Sequence, residues 1–161
     1  EDGKNMYTRL PVELYARFQN SGNVHLKPSG TITFQNMLGQ EVDTVEFNAK
    51  NGATLPDTTR KYQATWEKAA VVESAGNAWE NFWEEYTNEK NNFSLGRYTA
   101  TLSVVAGATD TVTDTATATF WILPWHILAV WGSGILLVIL ILILGIKKYN
   151  SWIVKKSQSL K

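Results

Sequence analysis

The groups that could do chemistry are few and scattered. The chain has two histidines, His25 and His126, and no cysteine. Neither histidine has neighbours at metal-ligand spacing. The lack of cysteine removes a thiol nucleophile and a disulfide framework, and it argues against a structural zinc site. Paired carboxylates occur at Glu84 and Glu85, and at Asp110 with Asp114; solvated surface acids explain both. A calcium site at Asp110–Asp114 would lack the regular oxygen spacing and central glycine of an EF-hand loop. Asn92, Phe93 and Ser94 fit a glycosylation sequon, a match of three residues. His126 beside Trp125 reads as an interfacial side chain rather than a proton relay. No catalytic set emerges, so the expectation is a protein that is not an enzyme, with no cofactor and no metal.

The residues that do form a pattern are aromatic. Trp79, Phe82, Trp83 and Tyr86 fall at i, i+3, i+4 and i+7, with Glu80, Glu84 and Glu85 on the other side. That spacing predicts an amphipathic helix of about three turns over 77–89. Its stripe either caps the open end of a β domain or meets a partner, since aromatics are enriched in interface cores. The acidic face disfavours an anionic membrane surface, so a protein is the better partner.

Charge divides the chain. Through Trp121 there are fifteen Asp/Glu against ten Lys/Arg, a net −5; after it come five lysines and no acid, a net +5. No basic stripe lies on the folded part, so nucleic acid is not an expected partner.

From Ile122 to Ile146 the sequence is dominated by Ile, Leu and Val, with no full charge. At about 1.5 Å of helix rise per residue, such a run spans a bilayer core of roughly 30 Å. Trp121 and Trp125 mark one end and Lys147 and Lys148 the other, as membrane-interface anchors. The positive-inside bias puts the lysine end, 147–161, in the cytoplasm and residues 1–121 outside. Pro124 is tolerated in a first helical turn, where its missing N–H costs no bond. Ala129, Gly132 and Ser133 form a small-residue patch that could pack against another helix. The start at Glu1, without Met or signal peptide, reads as mature or truncated.

The rest alternates apolar and polar residues, the mark of half-buried strands. Val12, Leu14, Ala16 and Phe18 share one face. Ile32 with Phe34, Val45 with Phe47, and Tyr62, Ala64 with Trp66 do the same, followed by Tyr98–Val104 and Val112–Phe120. Turns fall at 20–23, 38–40 and 55–58. Six or seven short strands fit a mainly β, immunoglobulin-like sandwich with one inserted helix, Trp66 in its core, and a single transmembrane helix to follow. No Gly/Ser/Pro run separates Phe120 from the apolar segment, so the domain is expected close to the bilayer.

Three stretches resemble bacterial surface proteins related to the WxL-interacting protein family. FQNSGNVHLKPSGTI (18–32) resembles the pattern F-x-N-x-G-N-V-x-x-x-P-x-G-x-I. Gly96-Arg97-Tyr98 resembles a late G-x-Y strand, and FWILPW (120–125) a junction before the span. The resemblance implies an Ig-like module on a single-pass anchor in a bacterial envelope, engaging other surface proteins or the cell wall. Residues 77–88 have no counterpart in that pattern, and no wall-binding residue is assigned.

The expected function is therefore a non-catalytic cell-surface interaction or assembly module. It would bind envelope proteins near the bilayer through Trp79, Phe82, Trp83 and Tyr86. Two alternatives stand beside it. One is an accessory subunit of a membrane complex, held by the transmembrane helix. The other is a fragment of a larger surface protein or sensor whose functional part lies upstream.

Overall fold

Alternating side chains give Val12–Asn20, Ser29–Gln35, Thr58–Trp66 and Gly96–Ala106 one inward face each. A computed structural model describes residues 4–71, 76–107 and 112–158. The elements run β1 (Met6–Tyr7), β2 (Val12–Asn20), β3 (Ser29–Gln35), β4 (Glu41–Phe47), β5 (Thr58–Trp66), α1 (Ala78–Asn91), β6 (Gly96–Ala106), β7 (Val112–Ile122) and α2 (Trp125–Gln158). The protein is thus mostly β with a long apolar C-terminal helix. It forms two compact units, Glu1–Pro124 and Trp125–Lys161.

In the first unit, a five-stranded sheet has the order β1-β7-β6-β3-β4, and β2 pairs with β5 in a second sheet. All pairings are antiparallel except β1 with β7, where Met6 lies opposite Trp121 and Tyr7 opposite Ile122. Inward residues of both sheets meet in one buried cluster that includes Val12, Ile32, Phe34, Phe47, Trp66 and Phe120. Trp66 is fully buried at its centre. Its ring stacks on Phe34 at 4.2 Å, meets Tyr98 edge-on at 5.2 Å, and its Nε1–H donates to Asp43 at 2.7 Å.

Two loops have identifiable local causes. In the β3–β4 turn, Asn36 Oδ1 accepts from the Leu38 and Gln40 amides while Gly39 takes φ +76°. That left-handed conformation suits glycine. In the β4–β5 connection, Asn48 holds the chain through bonds to Pro28 O, Gly52 O and the Gly52 amide.

The second unit is α2. Its segment Trp125–Ile153 is long and apolar enough to cross a membrane. The helix begins after the sequence boundary at Ile122, which is the fully buried last residue of β7. It also continues past Ile146 through the lysines, so 147–158 is helical.

Candidate functional site

Helix α1 forms where its sequence supplies both ends. Asn77 Oδ1 accepts from the Trp79 and Glu80 amides, and Glu80 Oε2 accepts from the Asn77 amide, a complete capping box. This pair, visible as Asn-x-x-Glu in the sequence, marks the start more sharply than periodicity does. Replacing Asn77 with Ala should cost about 1 kcal/mol. Hydrogen exchange should show it as faster exchange confined to the first turn of α1. The helix closes at Asn92, a buried residue whose Oδ1 accepts from the Ala69 amide and whose Nδ2 donates to Asn88 O. The Asn92 amide is thereby committed to structure and shielded from glycan attachment.

The aromatic stripe faces mostly outward. Trp79 is 69 % exposed and Trp83 40 %, while Phe82 and Tyr86 are half-buried. The residues of α1 that are buried are polar, Asn88 and Glu89. The rings instead pack on one another, edge-on around Trp83, with centroids 5.6 Å to Trp79, 5.5 Å to Phe82 and 5.6 Å to Tyr86. A two-pronged ion pair joins the helix to the β1–β2 connection. Arg9 Nε and Nη2 donate to the two Glu85 oxygens, both at 2.8 Å and partly buried. Bidentate pairs of this kind fix geometry as well as adding attraction. Sequence reading missed this contact, because nothing local links Arg9 to Glu85. Next to it, Glu84 Oε2 is shielded from solvent with no hydrogen-bond partner among the described residues.

A second feature is a cleft of about 300 Å³ between the sheets, floored by Ala16, Ala64, Ala100, Ala116 and Ala118. It is bordered by Leu14–Phe18 of β2 and by β7, whose Ala116 and Ala118 are exposed. Among the described residues, β7 pairs with β1 only at Trp121 and Ile122. The cleft invites an added strand, but Asp114 points inward at its mouth, opposite Val104. An inward charge on an edge strand discourages pairing, since docking would strip its water. On the adjoining surface, the Tyr15 hydroxyl donates to Glu13 Oε2 at 2.6 Å and Lys61 Nζ lies 4.0 Å from its ring centroid. The bond to Glu13 raises the Tyr15 pKa above the ordinary phenol value.

The other sequence-derived residues lie apart from α1. Trp121 is on β7, half exposed; Trp125 opens α2, its ring 3.7 Å from that of His126. Ala129, Gly132 and Ser133 lie on α2, where a Cβ on Gly132 would meet nothing and Ser133 Oγ donates back to Val130 O at 2.9 Å. Lys147 and Lys148 follow on the same helix. His25 is in an exposed loop. Among the described residues, no three His, Cys, Asp or Glu side chains gather as a metal set. The Asp110–Asp114 loop cannot be placed as a whole, because Asp110 lies outside the described residues. No protein-family model matches the chain, and neither a curated protein nor a solved structure matches it.

Proposed function

We propose that this is a non-catalytic, membrane-anchored interaction module that binds another protein close to the bilayer through the aromatic face of α1. The observation that carries this reading is the stripe itself. Four aromatic side chains stand outside the core on a helix that is capped and tied down by Arg9–Glu85. Exposed aromatic clusters are the usual anchors of protein interfaces.

The wider reading has its own support. The strand order β7-β6-β3-β4 in one sheet and β2-β5 in the other supports an immunoglobulin-like reading, in which they would be the G-F-C-C′ and B-E strands. Helix α2 serves as the single-pass anchor in this reading, and the five lysines after Ile146 favour a cytoplasmic C-terminus with the β unit outside. The resemblance of residues 18–32, 96–98 and 120–125 to envelope proteins favours a bacterial surface, with envelope proteins or cell wall as neighbours.

The test is a paired pull-down from detergent with the full chain and with Trp79→Ser/Trp83→Ser. Both positions are exposed, so the variant should keep its thermal unfolding midpoint. Partners cross-linked to the wild type should be lost at least about tenfold, the loss of one good anchor of about 1.4 kcal/mol. An identical partner set with an intact fold would remove α1 as the contact surface.

A further inference from the structure

The exposed large apolar side chains of the β unit are not spread evenly. Strand register gathers seven of them at one end. Met6 lies opposite Trp121 across the β1–β7 pair. Gly96 lies opposite Ile122 across β6–β7, which brings Phe93 and Leu95 to the same end. Gln35 lies opposite Thr99, so the β3–β4 turn projects there as well, and a Cβ on Gly96 would overlap the Met37 methyl. The result is an apolar hem along the end of the five-stranded sheet, from Met6 through Trp121 and Leu123 to Phe93, Leu95, Met37 and Leu38. At about 4.8 Å between strands, it runs about 19 Å.

These side chains are held out into solvent. Leu38 is 77 % exposed, Met37 59 % and Phe93 52 %. The backbone beneath them is fixed, by Asn36 in the turn and by the Leu123 amide donating to Tyr7 O at 2.8 Å. At the opposite end, the exposed large apolar residues of the loops, among the described residues, are Val24 and Leu55, beside Ser21, Asn23, Lys50, Asn51 and Asp57. Contiguous exposed apolar surface at one end marks a contact, whereas scattered residues would not.

The chain itself points to the occupant. The hem includes the last residues of β7, and α2 begins at Trp125, directly after Leu123 and Pro124. That nearness in sequence to a spanning helix favours lipid as the occupant. Arg97, opposite Trp121, and Lys68, whose Nζ lies 3.4 Å from Phe93 O, supply cations beside the hem of the kind lipid phosphates attract. We infer that this end of the β unit is a lipid-dipping surface: Met37, Leu38, Phe93 and Leu95 enter the headgroup layer and fix the tilt of the unit. The inference rests on the reading of α2 as a membrane span. It differs from that reading, because a span alone requires no contact between the domain and lipid.

The natural absence of cysteine makes the test clean. Single cysteines at Leu38, Phe93, Val24 and Leu140 of the full chain are spin-labelled. The chain is then reconstituted in nanodiscs of phosphatidylcholine at one copy per disc. Accessibility to oxygen and to an aqueous nickel complex gives the depth of each label. The expected result is a Leu140 label deep in lipid, Leu38 and Phe93 labels several-fold less accessible to nickel than Val24, and Val24 in water. A deep Leu140 with Leu38 and Phe93 as open to nickel as Val24 overturns the lipid-dipping surface and leaves the span intact. A Leu140 label in water overturns the span itself, and the inference with it. Shielding of Leu38 and Phe93 that appears only at two copies per disc assigns the hem to a second copy instead, and also overturns it.

Discussion

Trp66→Ala should lower the unfolding free energy of the β unit by about 3–5 kcal/mol, the range for truncating a buried aromatic. Trp66 fits the upper part of that range because several contacts converge on it. It is fully buried, stacked on Phe34, edge-on to Tyr98 and to Phe120, with ring centroids 4.2, 5.2 and 6.2 Å away. Phe34 comes from one sheet and Trp66 from the other, so the cavity would open between them and could not be closed by a shift within one sheet. The indole N–H bond to Asp43 is partly exposed and accounts for only about 1 kcal/mol of the loss. Trp66→Phe keeps a ring on Phe34 and should cost markedly less than Ala. The measurement is a urea titration of the full chain in mild detergent, followed by the β-sheet circular dichroism signal. With a slope of about 2 kcal/mol/M, the Ala variant should unfold about 2 M earlier. If Ala and Phe cost the same, the stack is not the centre of the fold.

Much of this core could be read in advance from alternation. The inward faces of β2, β3, β5 and β6 follow from a period of two, and Trp66 stands out as the largest side chain on any of them. What alternation cannot give is the partner of each strand. β1 is only Met6 and Tyr7, too short to carry a pattern, and it exists because the end of β7 offers it an edge. The aromatic stripe of α1 was legible for a related reason and misleading for another. Helical spacing shows that Trp79, Phe82, Trp83 and Tyr86 share a face, yet says nothing about what covers it. In the structure the polar Asn88 and Glu89 go inward and the two tryptophans stay out. The apolar hem was invisible for the same cause. Met6, Met37 and Phe93 are unremarkable in the sequence, Trp121 stands out there only as a flank of the apolar segment, and only register gathers the four.

Gly30→Ala should destabilise by about 3 kcal/mol or more, at or beyond the top of the usual overpacking range. The expectation runs against the ordinary rule, because Gly inside a strand is worse than Ala by roughly 0.5–1 kcal/mol on entropy alone. The sign reverses here for a geometric reason. β3 is an inner strand, and Gly30 has Phe47 opposite on β4 and Val104 opposite on β6. A Cβ at Gly30 would overlap the Ser103 carbonyl oxygen and stand 2.9 Å from the Ser103 carbonyl carbon and 3.1 Å from Val104 Cα. Every one of those atoms is backbone, so no rotamer change relieves the overlap. β3 and β6 must separate locally, and their ladder bonds near Ser103 and Val104 must lengthen. Hydrogen exchange should accordingly speed up around residues 29–31 and 103–105 while the Gln35–Thr99 end stays protected. Gly39→Ala is the natural comparison. Its Cβ would meet nothing within 4 Å, so it should cost only the left-handed backbone penalty of about 1–2 kcal/mol. A Gly30→Ala variant as stable as the wild type, or more so, would mean that β3 and β6 do not approach this closely.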